Sequence, residues 1–125
     1  MEATEYTEKL IEHFQNPRNV GRIPRPDGVG VIGDPSCGDY LRIYIKVKDD
    51  RLFRIKFEVY GCPAAIATTS ILTEMALGRT LEEAQKIRPQ DVAGALGGLS
   101  AVKMHCSNLG TAALYQAIAL YQQQR

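Results

Sequence analysis

Two neighbouring stretches in the middle of the chain alternate between apolar and polar residues. Every second residue is apolar in 41–47, and the pattern returns in 53–59 after a short polar turn at 48–51. A period of two is typical of a strand with one buried face, and two such runs joined by a short turn predict an antiparallel hairpin. The predicted inward-facing residues are Leu41, Ile43, Ile45, Val47, Phe53, Ile55, Phe57 and Val59. Because only one face of the hairpin is apolar, we expect helices to cover one side of the sheet.

An amphipathic helix is predicted near the start of the chain. Thr4 suits its N-cap, and Pro17 ends it. Its apolar stripe consists of Tyr6, Leu10, Ile11 and Phe14. His13 lies in the same helix, and we interpret it as structural, because a lone helical histidine is more often a packed residue than a metal ligand.

The remaining segments predict a connector and four further helices. Residues 17–36 are rich in proline and glycine, which indicates an ordered connector with a short edge strand at 29–33. The later helices are predicted at 63–77, from a Thr80 cap through Ile87, from Pro89 to the Gly97–Gly98 pair, and from between residues 103 and 108 onward.

Charge and composition argue against two classes of main partner. The chain has 15 basic and 14 acidic residues, interspersed, for a net charge of +1. This balance does not favour nucleic acid or a membrane surface. No apolar stretch approaches the ~20 residues of a membrane span, and the first residues lack the pattern of a signal peptide. We therefore expect a cytoplasmic protein, in which three cysteines indicate thiols or a metal site rather than a disulfide framework.

Cys62 stands at the junction between the second predicted strand and a helix. Pro63 suits the first position inside that helix, which places Cys62 at its entrance. Unpaired backbone N–H groups and the helix dipole favour negative charge there, so a thiol ionises more readily. The thiolate is the form that binds metals or attacks electrophiles.

The three cysteines, with a carboxylate and an imidazole, form a candidate ligand set. Its members are Cys37, Asp39, Cys62, His105 and Cys106. Thiolate and imidazole suit zinc or iron–sulfur clusters, and four ligands complete a tetrahedral site. The separations of 25 and 44 residues between successive cysteines match no general metal motif, so spacing alone leaves inert packing about as plausible as metal binding. Gly38 and Gly61 beside two of the cysteines permit close backbone approach and favour a functional site.

Two other functional classes fit parts of this pattern. One cysteine could act as a nucleophile with His105 as base and Asp39 orienting it, but two thiols would then have no role. A plain interaction module would account for the covering helices and for none of the Cys, Asp and His residues.

Four segments resemble those of the IscU/NifU-type iron–sulfur cluster assembly scaffolds. They are residues 12–21 (EHFQNPRNVG), 33–39 (GDPSCGD), 61–70 (GCPAAIATTS) and 102–107 (VKMHCS). The resemblance extends over nearly the whole chain. It implies one α+β domain over residues 1–125, with a small three-stranded antiparallel sheet and helices packed on one face.

The same resemblance implies the ligands of the site and its cargo. The implied cluster ligands are Cys37, Cys62 and Cys106, together with Asp39 or His105. Lys103 is expected to interact with the site, and Cys106 is the implied persulfide acceptor. The cargo would be a 2Fe–2S cluster, or a 4Fe–4S cluster, and zinc can occupy the same site.

The resemblance further implies a scaffold rather than an enzyme. Sulfur would arrive as persulfide from an IscS/NifS-type cysteine desulfurase, and the cluster would pass to acceptor apo-proteins. Two chains could also share or be bridged by clusters in a homodimer. Relatives that use a dedicated Hsp70-type chaperone carry an LPPVK motif where residues 99–103 of this chain are LSAVK. The missing prolines argue against the use of that chaperone.

The alternative to the scaffold function is a zinc-binding protein that accepts and transfers sulfur.

Overall fold

A computed structural model describes residues 7–33, 40–98 and 104–124, without the side chains of residues 104–106. Within these ranges the chain forms three strands and five helices. In chain order they are α1 Glu8–Gln15, β1 Gly28–Gly33, β2 Tyr40–Lys48, β3 Arg51–Tyr60, α2 Pro63–Ala76, α3 Leu81–Gln85, α4 Pro89–Ala95 and α5 Met104–Gln123. Among the described helices, none combines the length and apolar character that crossing a membrane requires.

The three strands form an antiparallel sheet in the order β1-β2-β3. The predicted hairpin and edge strand are therefore confirmed. Asp49 and Asp50 make the two-residue turn between β2 and β3, with φ angles of 54° and 64°. Positive φ at both turn residues matches the right-handed twist of the paired strands, which is why this turn permits a tight hairpin.

The helices α2 and α5 cover the apolar face of this sheet. The inward residues of β2 and β3 are buried with apolar residues of α5: Leu41, Ile43, Ile45, Ile55, Phe57, Leu114, Ala117 and Ile118. The close approach of β1 to α5 depends on glycine, because a Cβ at Gly30 would lie 1.8 Å from the carbonyl oxygen of Ala113. The predicted arrangement, with helices on one side of the sheet, is thus confirmed.

One predicted core residue is on the wrong side of the sheet. Phe53 is 53% exposed, whereas Leu52 is fully buried. The register of the hairpin shifts at this point: Lys46 pairs with Arg54, but Val47 pairs with Leu52. A β-bulge therefore inserts Phe53 as an extra residue and reverses the direction of the alternation beyond it.

The first helix is shorter than predicted, and its inner face differs. Thr7 is its N-cap, accepting a hydrogen bond of 3.1 Å from the Leu10 N–H, while Thr4 and Tyr6 lie outside the described residues. Leu10 and His13 are buried, but Ile11 and Phe14 are 41% and 40% exposed. The predicted apolar stripe is therefore wrong at Ile11 and Phe14, because α1 packs on α2 through the face that carries Leu10 and His13.

The later helices begin and end close to the predicted residues. Thr80 and Glu83 form a capping box at the start of α3. Gly78, Gly97 and Gly98 adopt positive φ after α2 and α4, as residues that end helices commonly do. These boundaries follow from local backbone chemistry.

The outer face of the sheet is less exposed to solvent than the alternation predicts. Tyr40 and Tyr44, which belong to the polar face, are buried.

The connector after α1 runs along the outer edge of β3, where the Phe57 N–H donates to the Asn19 carbonyl and the Phe57 carbonyl accepts from the Gly21 N–H, both at 2.9 Å. An irregular segment thus pairs with a strand edge that would otherwise be open.

Candidate functional site

Cys62 is the N-cap of α2, and Pro63 is the first helical residue, as the sequence predicts. The Cys62 backbone is extended, with φ −75° and ψ 166°, and its carbonyl accepts from the Ala65 N–H at 2.9 Å. The first turn of α2 contains no carboxylate. The end of the helix dipole and its N–H groups therefore act on Cys62 without a competing negative side chain in that turn.

The Cys62 side chain is half-buried against a small apolar cluster. The buried members of this cluster are Leu10, Ala64, Ala65, Ala67 and Leu96. They come from α1, from α2 and from the end of α4. Cys62 is consequently positioned by packed helices and not by a loop alone.

The register of β2 and β3 brings the first residue of β2 and the last residue of β3 to one end of the hairpin. Tyr40, the first residue of β2, pairs with Tyr60, the last residue of β3, and their ring centroids are 5.8 Å apart. Cys62 follows Tyr60 by two residues, with the exposed Gly61 between them. Asp39 immediately precedes Tyr40 in the sequence but lies, with Cys37 and Gly38, outside the described residues.

The last helix begins at the predicted His-Cys pair. His105 and Cys106 are in the first turn of α5, which starts at Met104, while their side chains and all of Lys103 lie outside what the structure describes. The helices α2 and α5 touch at Gly110, where a Cβ would lie 3.2 Å from the Leu72 side chain and 3.7 Å from the Thr69 hydroxyl. Along their helices, Cys62 is about two turns and Cys106 about one turn from this contact.

Ser107, directly after Cys106, was not identified from the sequence. It is buried, and its hydroxyl oxygen has no hydrogen-bond partner among the residues that the structure describes. A buried hydroxyl in this state is energetically unfavourable. Its place beside a predicted ligand is the one signal that the sequence carries for it.

A cationic and aromatic cluster lies on the outer face beside the Tyr40–Tyr60 pair. The Arg42 guanidinium is 5.6 Å from the Tyr40 ring centroid and 6.0 Å from that of Tyr44. Its buried Nε has no hydrogen-bond partner in the described part of the chain. The Tyr44 hydroxyl donates to Glu58 at 2.7 Å, and burial raises the pKa of Tyr44. A hydrogen bond of 2.6 Å from Arg22 lowers the pKa of Glu58. Alternation alone predicted only a solvent-exposed polar face here.

His13 has a structural role, as expected for a lone helical histidine. Its Nδ1 lies 2.8 Å from the Ser70 hydroxyl, which also accepts from the Arg18 N–H at 2.9 Å. Nearby, the Asn19 amide donates to the Thr73 hydroxyl at 2.9 Å. These bonds join residues 12–21 to the helix that Cys62 begins.

Comparison with known proteins identifies the family. The family model described as the NifU-like N-terminal domain matches residues 5–125. The iron–sulfur cluster assembly scaffold protein IscU 1 of Archaeoglobus fulgidus is 60% identical over 116 residues, which cover 93% of this chain and 76% of that protein. IscU of Escherichia coli K12 is 44% identical over 124 residues and 96% of each chain.

Solved structures show the same fold. A crystal structure from Fervidobacterium islandicum, described as a scaffold protein for the SUF system, has a TM-score of 0.77 at 24% identity and covers 94% of this chain and 99% of its own. The N-terminal NifU-like protein from Brucella abortus has a TM-score of 0.73 at 18% identity, covering 97% and 96%. The α+β fold with three antiparallel strands is thereby confirmed. The chain belongs to the IscU/NifU-type family of scaffold proteins, whose common unit is the NifU-like N-terminal domain.

Proposed function

We propose that this protein is a scaffold that assembles iron–sulfur clusters and passes them to acceptor apo-proteins. The observation that carries the proposal is the position of Cys62 at the N-terminus of α2, within a chain 60% identical to a named IscU scaffold. Relatives named as scaffolds support a carrier rather than an enzyme. The whole of residues 1–125 forms the scaffold domain in this proposal.

The cluster is held by three thiolates and one weaker ligand. The proposed set is Cys37, Cys62 and Cys106, with Asp39 or His105 as the fourth member. Two observations support it: the hairpin register places Tyr40 opposite Tyr60, and α5 begins at the residue before His105. The cargo is a 2Fe–2S cluster, with a 4Fe–4S cluster or zinc as alternative occupants of the same residues.

A mixed ligand set suits a cluster that must leave. Four thiolates would retain iron tightly, whereas carboxylate and imidazole are harder ligands that exchange more readily on soft iron–sulfur sites. In the sequence the proposed ligands lie just before or at the start of β2, α2 and α5, and local opening at element ends costs less free energy than in the middle of the sheet. The anionic cluster is further stabilised by the dipole of α2.

Sulfur reaches the scaffold from a cysteine desulfurase of the IscS/NifS type. The Cys106 thiolate attacks the outer sulfur of the desulfurase persulfide, a new S–S bond forms on Cys106, and the desulfurase thiolate leaves. Lys103, three residues earlier in the sequence, supplies positive charge beside the ligands. We place this sulfur transfer in the cytoplasm. Cluster release proceeds without an Hsp70-type chaperone in this proposal, and a homodimer in which two chains share a cluster is compatible with it.

Anaerobic reconstitution tests the proposal. The protein is incubated with ferrous iron, cysteine, a cysteine desulfurase and a dithiol reductant that converts persulfide sulfur to sulfide, and visible absorption is followed together with iron and sulfide analysis. We expect cluster absorption with equal iron and sulfide, loss of it in Cys62→Ser, and retention in Leu120→Ser, a control at an exposed position on α5. Circular dichroism checks that both variants fold.

Three results would overturn the proposal. One tightly bound zinc with no uptake of iron would indicate a zinc-binding sulfur acceptor. Thiol-dependent turnover of a substrate without a cluster would indicate a Cys–His enzyme. A cluster that forms equally well in Cys62→Ser would remove Cys62 from the ligand set.

A further inference from the structure

An exposed apolar surface lies at the end of the hairpin remote from Cys62. Phe53 and Leu77 are 53% and 43% exposed, and two adjoining concavities of about 380 and 140 Å³ share both side chains. We call this surface the hairpin-end groove. Besides Phe53 and Leu77, its lining includes the charged residues Lys48, Asp49, Arg51, Arg54 and Lys56.

The groove is preformed because hydrogen bonds join the hairpin end to the segment after α2. Leu52 donates to the Arg79 carbonyl and accepts from the Gly78 N–H, both at 2.8 Å. The Asp50 carbonyl accepts from the Leu81 N–H at 3.0 Å. These backbone contacts hold both walls, so a ligand would lose little conformational freedom of the protein on binding.

The bulge in β3 is what presents Phe53 to solvent. A regular strand would continue the alternation of Ile55 and Phe57 and turn Phe53 inward, whereas the bulge turns Leu52 inward in its place. The bulge instead leaves an aromatic ring on the surface at the centre of the two concavities. Aromatic residues in such positions are typical anchors of protein interfaces.

Positive charge surrounds this apolar centre. The lining contains Lys48, Arg51, Arg54 and Lys56 against Asp49, a net charge of +3, in a chain whose total is +1. Within the described residues, the salt bridges of the basic side chains lie elsewhere, at Arg18, Arg22, Lys46, Lys86 and Arg88, and include none of the four groove cations. The groove therefore offers cations that a partner's carboxylates can pair with.

We propose that the hairpin-end groove binds an acidic segment of a partner protein, which inserts one large apolar side chain between Phe53 and Leu77. Charge complementarity selects this occupant. Face-to-face pairing of two copies through the same groove would bring eight cations together, four from each, which opposes that arrangement. The apolar centre likewise suits a protein side chain better than a nucleic acid backbone.

The groove is far enough from Cys62 for both to be occupied at once. Leu77 lies beyond the far end of α2, roughly 20 Å from Pro63 at 1.5 Å per helical residue. A partner held here would leave the Cys62 end of the hairpin accessible. This use rests on the proposed scaffold function, but the binding itself does not, and it is measured without a cluster.

Peptide titration followed by NMR tests the proposal. The probe is a synthetic peptide with a central Phe-Leu pair flanked by glutamates, added to the ¹⁵N-labelled cluster-free protein. Matched peptides replace the glutamates with glutamine or the Phe-Leu pair with Ser-Ser. We expect saturable shifts at Phe53, Leu77 and the surrounding cationic residues, weaker binding at high ionic strength, and binding about tenfold weaker for either matched peptide.

Variants identify the residues responsible. Phe53→Ser and Arg54→Glu should each weaken binding of the acidic peptide by up to about tenfold, while Phe14→Ser, which removes a ring that is 40% exposed on α1, should leave it unchanged. All three positions are exposed, and the NMR spectrum shows directly whether each variant folds. Cluster reconstitution should be unchanged in Phe53→Ser.

Three outcomes would overturn the proposal. Shifts that do not saturate, or that fall outside the groove, would exclude the acidic peptide as its ligand. Equal binding of the glutamine peptide would show that the cations play no part. A concentration-dependent dimer in analytical ultracentrifugation, lost in Phe53→Ser, would assign the groove to a second copy of this chain. None of these results depends on whether a cluster forms.

Discussion

The Nδ1 atom of His13 lies 2.8 Å from the hydroxyl oxygen of Ser70 and joins α1 to the interior of α2. The same hydroxyl accepts from the Arg18 N–H, so its proton is available to donate to a neutral imidazole. His13 and Ser70, 57 positions apart in sequence, are thus hydrogen-bonded inside the protein. Ser70 lies in the helix whose N-cap is Cys62. The protonation state of His13 should therefore affect the stability of the helix that Cys62 begins.

Stability should fall in mild acid because of His13. Burial, with the charge of Arg18, lowers the pKa of His13 below its ordinary value of 6.5, against the opposing effect of Glu74. Between the lowered pKa and 6.5 the unfolded chain binds a proton that the folded chain does not, so the free energy of unfolding decreases as the pH falls below about 6.5 and is fully retained above it. Urea unfolding across pH 5 to 8 measures this, and His13→Gln should flatten the dependence. An equal slope in the variant would contradict the assignment to His13.

Adding one methyl group to β1 should strongly destabilise the fold. A Cβ at Gly30 would meet the Ala113 carbonyl at 1.8 Å, so Gly30→Ala must push the strand from α5, at a cost of about 3 kcal/mol. Gly94→Ala is the control, since it lies in α4 and, apart from adjacent residues and the helix backbone, no described atom lies within 4 Å of its Cβ position; alanine there should stabilise by up to about 1 kcal/mol. Thermal unfolding compares the two, and equal effects would contradict the close approach.

The bulge in β3 predicts opposite results for two adjacent apolar residues. Leu52 is fully buried and Phe53 is 53% exposed. Leu52→Ala should reduce the free energy of unfolding by about 3 kcal/mol, whereas Phe53→Ala should change it by less than about 0.5 kcal/mol. Denaturant unfolding of both variants decides the register, and the reverse order of effects would favour an unbroken alternation.

Removing the Ser107 hydroxyl should not destabilise the protein. The group is buried and has no hydrogen-bond partner within residues 7–33, 40–98 and 104–124, so Ser107→Ala removes a desolvation cost and should be neutral or stabilise by up to about 1 kcal/mol. Thr111→Val is the comparison, because the buried Thr111 hydroxyl donates to the Ser107 carbonyl at 3.1 Å; its loss should cost about 1 kcal/mol. A clear loss of stability in Ser107→Ala would indicate a partner for that hydroxyl.

Replacing Asp39 by alanine should lengthen the lifetime of the bound cluster. In the proposed ligand set the carboxylate is an exchangeable member that assists release, so its removal should slow transfer. The measurement is the rate of cluster transfer from the reconstituted protein to an apo-acceptor. Glu82→Ala, an exposed position on α3, controls for loss of negative charge, and a transfer rate in Asp39→Ala at or above that of the unmodified protein would argue against this role.

The candidate site was partly predictable from sequence. The place of Cys62 followed from Pro63 and from the change of period at residue 61, both local signals. The burial of Ser107, the cluster around Arg42 and the hydrogen bond between His13 and Ser70 had no such signal. Each depends on which helix or strand lies opposite, and that is set by contacts between distant parts of the chain.

The sequence by itself determined the hairpin, the strand before it and the ends of the later helices. Thr80, Pro89 and the Gly97–Gly98 pair act within one turn of backbone, and a period of two needs only a few residues to be recognised. Tertiary structure alone decided that Phe53 faces solvent, that Phe14 lies outside the core, and that the connector pairs with the edge of β3. The physical reason is that strand register and helix rotation depend on the apolar surface buried in the whole packed domain. A single bulge in β3 therefore changes which residues face the core, even where the local sequence alternates regularly.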